Sequence, residues 1–309
     1  MKGLILVNAY YDTPATRYQS GRIAEELKKL GVDVEVKKND FFAAQIDGGH
    51  TIAGKNLRKH PKNQAVNFIN VPECDFCVFL DKDKYAARAL ETSGVRLFNS
   101  REAIEVCDDK AVTFLKLAGH NIPMPKTVPG LLCYEKNAFI TSATVDYIAG
   151  ELGFPLVVKE SYGSLGKGVF KVNDRGELES ICERLKCTPH LFQQFIKESA
   201  GRDIRVTVVG GKAVSAMLRE SAGDFRSNIG LGGTGRKFEI DGELKALTEK
   251  IARILCLDYC GIDVLSGKDG YLLCEVNSNA FFGGSEEATG VNIAKAYAEH
   301  IVSVCKSHK

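Results

Sequence analysis

Apolar positions along this chain alternate between two periods. Residues 3–7, GLILV, make a continuous apolar run of strand length, and residues 16–30 then place Ile23, Leu27 and Leu30 at helical spacing until Gly31 stops the helix. The segment VDVEVKK follows as an alternating strand. The rhythm continues through DFCVFLD, a helix over 84–93 and the short strand VRLFN, so residues 1–98 predict a small, mostly parallel α/β sheet. Residues 43–63 are polar, contain glycine and carry no period; they read as a loop.

A second unit opens at Asn99, which with Glu102 makes a capping-box-like start for the helix SREAIEVC. Asp108 is expected to cap the next helix, DKAVTFLKLAGH, which Gly119 and the prolines at 123 and 125 end. Beyond Gly153 the pattern is strand, glycine-rich turn, strand: FPLVVKES and GVFKVN flank the turn. A third stretch from His190 holds LFQQFI and a hairpin, DIRVTVVGGKAVSAMLRE, turning at Gly210 and Gly211. A helix over 243–255, a second hairpin, GIDVLSGKDGYLLCEVN, and a closing helix over 292–305 complete it. Antiparallel hairpins backed by helices predict α+β, giving three units at 1–98, 99–189 and 190–309.

With 309 residues and 44% of them hydrophobic, the chain can bury two or three cores. Its 41 basic and 39 acidic residues balance too evenly for a surface that coats nucleic acid, and no nucleic-acid partner is expected. The first apolar run is too short for a signal peptide, and no stretch approaches the roughly 20 residues needed to cross a bilayer. No membrane partner is expected. Ten scattered cysteines therefore read as reduced thiols of a cytoplasmic protein. Cys74 and Cys77 have metal-site spacing but no second pair, so they read as buried small hydrophobes.

The second hairpin carries the most chemistry. If Lys268, Asp269 and Gly270 form a three-residue turn, Gly267 pairs with Tyr271 and Asp263 falls directly opposite Glu275. Asn277 then lies on the face of Glu275. Two carboxylates that close repel unless a cation neutralises them, and hard oxygen donors suit Mg²⁺ or Mn²⁺. The alternative is a solvent-facing sheet side with ordinary polar residues. On the metal reading, Asp263→Asn and Glu275→Gln remove charge but little volume and spare folding.

The turn Gly163-Ser164-Leu165-Gly166-Lys167-Gly168 leads into a strand, not a helix, so it is neither a dinucleotide fingerprint nor a Walker loop. Its small residues let backbone amides approach a phosphate chain and let the turn move as a lid; a plain flexible turn is the other reading. Lys159 ends the preceding strand and aims a cation beneath it. Arg226 offers a planar fork for phosphate or carboxylate and Asn228 both donates and accepts, although their segment also reads as a polar loop. Arg202, Asp203, Arg205 and Arg219 add charge around the first hairpin, some of it for structural ion pairs.

Taken in order, these elements resemble the ATP-grasp superfamily, closest its RimK-like branch of glutamate ligases. The resemblance spans about residues 97–300 and rests on Asp109-Lys110, Lys159, the 163–168 turn and Gln194-Phe195-Ile196-Lys197-Glu198. It continues through Gly201-Arg202-Asp203-Ile204-Arg205, the segment 224–228, Gly261-Ile262-Asp263, Glu275-Val276-Asn277 and Ala288-Thr289-Gly290. It implies a Rossmann-like pre-ATP-grasp domain ahead of a two-lobed ATP-grasp fold with ATP in the cleft. Lys110 and Lys159 would contact phosphates beneath Gly163, Ser164, Gly166 and Gly168. Gln194, Phe195 and Ile196 would meet adenine, with Asp203 near the ribose. Met217 would pack on the ring, though it is equally a core residue. Arg219 would reach the phosphates, Asp263, Glu275 and Asn277 would bind two Mg²⁺, and Arg226 and Asn228 would hold an acyl-phosphate.

The implied activity is an ATP- and Mg²⁺-dependent carboxylate–amine ligase that forms an amide through an acyl-phosphate and releases ADP and phosphate. The amine would be an amino acid such as glutamate; the carboxylate, a peptide, a protein C-terminus or a metabolite. A phosphotransferase on the same fold and a non-catalytic ATP-binding regulator are the rivals, and a homo-oligomer stays open. One departure bears on the substrate. Close RimK-type enzymes follow the metal motif with a small residue and Pro-Gly-Leu-Glu, whereas this chain has Asn279-Ala280-Phe281-Phe282-Gly283-Gly284. Either one phenylalanine lines the cleft, giving a pocket unlike that of a ribosomal-protein glutamate ligase, or both rings cap the core.

Overall fold

The computed structural model describes residues 1–41, 43–46, 66–69, 74–164, 166–227 and 233–307. In chain order the N-terminal unit holds β1 (Lys2–Val7), α1 (Pro14–Lys29), β2 (Asp33–Lys38), β3 (Ala43–Ile46), β4 (Val66–Ile69), β5 (Phe76–Leu80), α2 (Lys84–Thr92) and β6 (Arg96–Phe98). The order β2-β1-β5-β6 is parallel throughout, as the rhythm predicts. Thr13 caps α1 with Pro14 in its first turn, where a missing N–H matters least. The expected loop over 43–63 is corrected at its start: 43–46 pair with 66–69 as a two-stranded antiparallel sheet, and 47–63 lie outside the described residues.

The two following helices, α3 (Arg101–Asp108) and α4 (Lys110–Leu117), each start one residue later than their expected caps. Ser100, not Asn99, accepts from the Ala103 N–H, and Asp109, not Asp108, accepts from Ala111 and Val112. Asn99 is occupied elsewhere. Its amide donates to the Tyr259 and Ser278 carbonyls and accepts from the Asp258 and Tyr259 N–H groups, stitching the start of the second unit to the last.

The central sheet is antiparallel in the order β7-β10-β8-β9, from β7 (Thr127–Pro129), α5 (Ser142–Leu152), β8 (Leu156–Glu160), β9 (Val169–Val172), α6 (Arg175–Leu185) and β10 (His190–Gln194). Helices α5 and α6, capped by Thr141 and Asp174, bury Val145, Ile148, Leu178 and Ile181 against it. The C-terminal part holds β11 (Arg202–Val209), β12 (Lys212–Glu220), β13 (Thr234–Lys237), α7 (Gly242–Ile254), β14 (Tyr259–Gly267), β15 (Gly270–Asn277), α8 (Gly283–Thr289) and α9 (Ile293–Ser307). Its five strands run β13-β12-β11-β14-β15, and β11 and β12 turn at Gly210 and Gly211, both at positive φ, as expected.

Packing crosses the expected divisions. β10 belongs to the central sheet although it follows 189, and α3 and α4 pack under the C-terminal sheet although they precede it. Helix α9 returns to α1, so Ile23, Leu27, Tyr297 and Ile301 share one core. Of the described helices, none is long and apolar enough to cross a membrane.

Candidate active site

Period-two alternation gives the C-terminal sheet two chemically different faces. Ile204, Val206, Ile262 and Val264 turn down onto α3, α4 and α7. Their neighbours Asp203, Arg205 and Asp263 turn up into the cleft, joined by Arg219 from β12. Arg219 donates through Nε and Nη2 to the two oxygens of Asp203, both at 2.6 Å, and Nη2 also lies 2.9 Å from Asp263. Arg205 closes the series with two 2.6 Å bonds to Asp263. Two carboxylates and two guanidiniums thus form a buried ladder, Asp203–Arg219–Asp263–Arg205, with no net charge.

Burial sets the energetics of this ladder. It disfavours the charge on Asp263, but Arg205 and Arg219 outweigh it and hold that carboxyl below its ordinary range. On Asp203 burial prevails, because its single guanidinium is shared with Asp263, and the carboxyl is pushed up. Burial likewise opposes the charge of Arg219, yet two carboxylates keep it firmly protonated.

Asp263 does face Glu275 across the hairpin, by a different route from the one expected. The turn is a two-residue one, with Gly267 paired to Gly270 and Ser266 to Tyr271. A bulge between Asp263 and Val264 then leaves Cys274 as the extra residue and restores the Asp263–Glu275 pair. Asn277 pairs with Gly261. A Cβ at Gly261 would sit 2.6 Å from that of Ala280 and 3.3 Å from Arg205 Cδ, so glycine leaves room for the Arg205 side chain to reach Asp263.

The roof is the turn between β8 and β9, with Gly163, Gly166 and Gly168 all at positive φ and Leu165 outside the described residues. Cations hold its backbone. Lys110 Nζ donates to the Gly163 carbonyl at 3.0 Å and lies 3.5 Å from Glu275. Arg226, paired with Asp224, donates to the Gly166 carbonyl at 2.8 Å. Lys82 reaches from the N-terminal unit to Ser164 Oγ at 3.2 Å and to Asp108 at 2.6 Å. Buried Lys159 crosses to the Cys274 carbonyl on the opposite sheet, 3.4 Å away.

Two cavities meet in this cleft. A narrow slot of about 100 Å³ runs between the central and C-terminal sheets, with Gln194, Phe195 and Ile196 on one wall and Lys159, Asp203 and Cys274 on the other. A wider cavity of about 630 Å³ lies between the N-terminal unit and the C-terminal sheet. Arg219 and Glu275 line both, so they stand at the junction. Met217 is placed in the wider cavity rather than in the slot with the 194–196 segment. Phe282 is buried against Tyr18 and Tyr259, whereas Phe281 lines the wider cavity: one ring of the pair is core and the other is wall. Gly283 and Gly284 begin α8. Asn228 lies outside the described residues.

The oxygen donors fit a hard divalent cation in kind. Glu275 and Asn277 reach the wider cavity. Asp263 fits only if a guanidinium gives way, since both its oxygens are already engaged. Among the described residues no group of three or more His, Cys, Asp or Glu gathers to hold a metal without help from other donors. Sequence reasoning named Arg205 as one of several surrounding charges and overlooked Lys82. Arg205 was recoverable from its alternation with Asp203; Lys82 has no local signal, because its partners lie far along the chain.

Residues 107–301 match the RimK-like ATP-grasp domain. Human "N-acetylaspartylglutamate synthase A" is 37% identical over 268 residues, covering 86% of this chain and 66% of that protein. A "Probable alpha-L-glutamate ligase" from Marinomonas sp. (strain MWYL1) is 31% identical over 288 residues, 92% of this chain and 91% of the other. The solved structure of the ATP-grasp ligase PsnB with minimal precursor, Mg and ADP superposes with a TM-score of 0.69 at 16% identity, covering 98% of each chain. The chain spans 55% to 66% of the length of the first of these curated relatives, which come from vertebrates. With the domain match covering more than half of the chain, and a bacterial relative matching it over nearly its whole length, the chain belongs to the RimK-like ATP-grasp family.

Proposed function

We propose that this protein is an ATP- and Mg²⁺-dependent carboxylate–amine ligase that joins glutamate, through its amino group, to a small acid or peptide. The observation that carries this reading is the junction: Arg219 and Glu275 border both cavities at once. A ligase of this kind needs a nucleotide and an acid to present their reacting ends to each other while water is kept out. The slot suits the base of the nucleotide, with Gln194, Phe195 and Ile196 meeting it and the phosphates reaching toward the junction. The wider cavity suits the acid and the amine.

A carboxylate is a poor acyl donor because an attacking amine would have to expel oxide. Transfer of the terminal phosphoryl group onto the carboxylate supplies a leaving group, and the protein's work is positioning and charge neutralisation. Lys110, Lys159 and Arg226 already lie under the roof, and Lys159 and Arg226 line the slot. They would exchange backbone carbonyls for phosphate oxygens, a stronger charge-assisted bond. Arg219 would hold the phosphoryl group at the junction. Glu275 and Asn277, joined by Asp263 once Arg205 and Arg219 give way, would hold Mg²⁺, which when bound supplies positive charge to the phosphates in transit. The amine would then attack the acyl carbon and phosphate would leave. Ten cysteines, with no disulfide among the described residues, fit a reducing, cytoplasmic setting.

The test is purified protein with ATP, Mg²⁺, glutamate and a panel of acids including N-acetylaspartate, citrate and short peptides. ADP, phosphate and amide should form in equal amounts with one of the acids. AMP and pyrophosphate would mark adenylate chemistry and overturn the reading.

A further inference from the structure

The N-terminal sheet ends on the wider cavity, and its topology marks the place. In the order β2-β1-β5-β6 the chain steps from β1 to β2 on one side and resumes at β5 on the other. Helix α1 packs on the face of Ile5, Val7 and Val78, and α2 on the opposite face with Leu4, Leu6 and Phe79. The connections therefore diverge between β1 and β5. That divergence leaves a crevice beyond the carboxyl ends of the two strands, where open α/β sheets take their ligands. Asn8 follows β1, and Asp81 and Lys82 follow β5; all three line the cavity.

The crevice is built around buried Asp81. Its oxygens accept from the side-chain amides of Asn8 and Asn39 and from the N–H groups of Lys82 and Asp83. Asp81 thus fastens the ends of β1, β2 and β5 together and has little left to offer a ligand. Asp83, next along, caps α2. Lys82 therefore leaves a backbone pinned on both sides. Its ammonium reaches Asp108 at 2.6 Å and Ser164 Oγ at 3.2 Å. A lysine carries three donors, so one remains for the cavity.

We infer that Lys82 receives a second carboxylate of the acid substrate, so that the enzyme selects acids with two or more carboxylates over monocarboxylic ones. This rests on the ligase reading and deepens it. The reacting carboxylate would lie at the junction beside Arg219, where the phosphoryl group arrives, and the distal one in the crevice. The charges lining the cavity favour such a ligand: Lys82, Lys167, Arg205 and Arg219 stand against Asp81 and Glu275. Arg205 and Arg219 are matched within the ladder, so they are not the free cations of this wall. Lys82 gives up a neutral hydroxyl, that of Ser164, for a carboxylate, and a charge-assisted bond is the stronger of the two. Its link to Asp108 holds the side chain in place meanwhile. A monocarboxylic acid or an uncharged peptide end has nothing to set against Lys82.

The experiment measures kcat/KM of the full chain, with ATP, Mg²⁺ and glutamate, for N-acetylaspartate and citrate, each beside its own monoamides, and for short peptides of uncharged residues. One of the two polycarboxylic acids should lead the panel and exceed its monoamides at least ~10-fold, the scale of one good charge-assisted contact. Lys82→Gln should erase that preference by raising the KM for the leading acid at least ~10-fold, with the KM for ATP within about twofold. Lys82→Arg should restore part of it. A monoamide or a peptide used as well as the leading acid would overturn the inference, and that comparison needs no variant. So would a Lys82→Gln variant that keeps the preference, or one that instead raises the KM for ATP and slows every acid alike, the mark of a residue that only holds the roof. Hydroxylamine trapping on the unmodified protein separates the two levels. Hydroxamate formed without preference for a second carboxylate defeats this subsite alone. No hydroxamate and no amide from any acid defeats the ligase reading itself.

Discussion

The floor and the roof of the cleft hold their polar groups by opposite means. On the floor, Asp203, Arg219 and Asp263 are each less than a tenth exposed and satisfy one another side chain to side chain. On the roof the polar groups are two backbone carbonyls and the Ser164 hydroxyl of an exposed glycine-rich turn, held by cations from three other parts of the chain. Buried charges stripped of water must be matched in place or the fold suffers, so the floor is structural as well as chemical. The roof keeps its solvent and can exchange its partners for a ligand at little cost to folding.

The sharpest break of this comparison is Asp263→Asn. From the sequence it should spare folding, but the ladder changes that expectation: neutralising Asp263 leaves two guanidiniums facing one carboxylate in a buried site. Stability should fall by about 3–5 kcal/mol, the scale for removing one partner of a buried ion pair, and denaturant unfolding reads it. Glu275→Gln, on the same face but half-buried, should leave the unfolding transition nearly in place while turnover drops at least ~100-fold. Parallel losses of stability in the two variants would erase the distinction between ladder and donor.

On the roof, Gly168→Ala should act on nucleotide affinity rather than on the fold. Gly168 has φ +71°, and a Cβ there would come within 2.8 Å of Glu160 Cδ and 3.0 Å of its Cβ and Cγ. The expected stability loss is about 1 kcal/mol, with a several-fold rise in the KM for ATP. A loss as large as that of Asp263→Asn would show the roof to be part of the fold. The smallest effect concerns Cys274, the bulge residue beside Lys159. Burial raises its thiol to about 11, with Lys159 pulling only partly the other way. At pH 8 it should stay a thiol, so iodoacetamide should label exposed Cys187 and Cys256 and leave Cys274 unmodified, by peptide mass spectrometry.

The sequence showed the strand and helix order, the parallel first sheet and both hairpins, because periodicity and turn residues act locally. It placed Asp263 opposite Glu275 through two departures that cancel, a shorter turn and a bulge, neither of which leaves a mark in residue type alone. The caps slipped by one residue at Asn99 and Asp108 because capping propensity cannot see that Asn99 is needed 160 residues away, at Tyr259. The ladder was only half legible: its residues were named, but which carboxylate meets which guanidinium depends on the register of β11 against both β12 and β14. Helices α5 and α6 passed unread. The role of Phe281 was posed correctly as one of two outcomes, and burial of Phe282 by Tyr18 from the N-terminal unit decided it.

The claim underlying all of this is that the acid's own oxygen attacks the terminal phosphorus at the junction. With the carboxylate substrate labelled with ¹⁸O in both oxygens, mass spectrometry of the phosphate released during amide formation reads that event directly. Each phosphate should carry one ¹⁸O, with ADP as the nucleotide product. Unlabelled phosphate, or ¹⁸O found in AMP, would contradict the account.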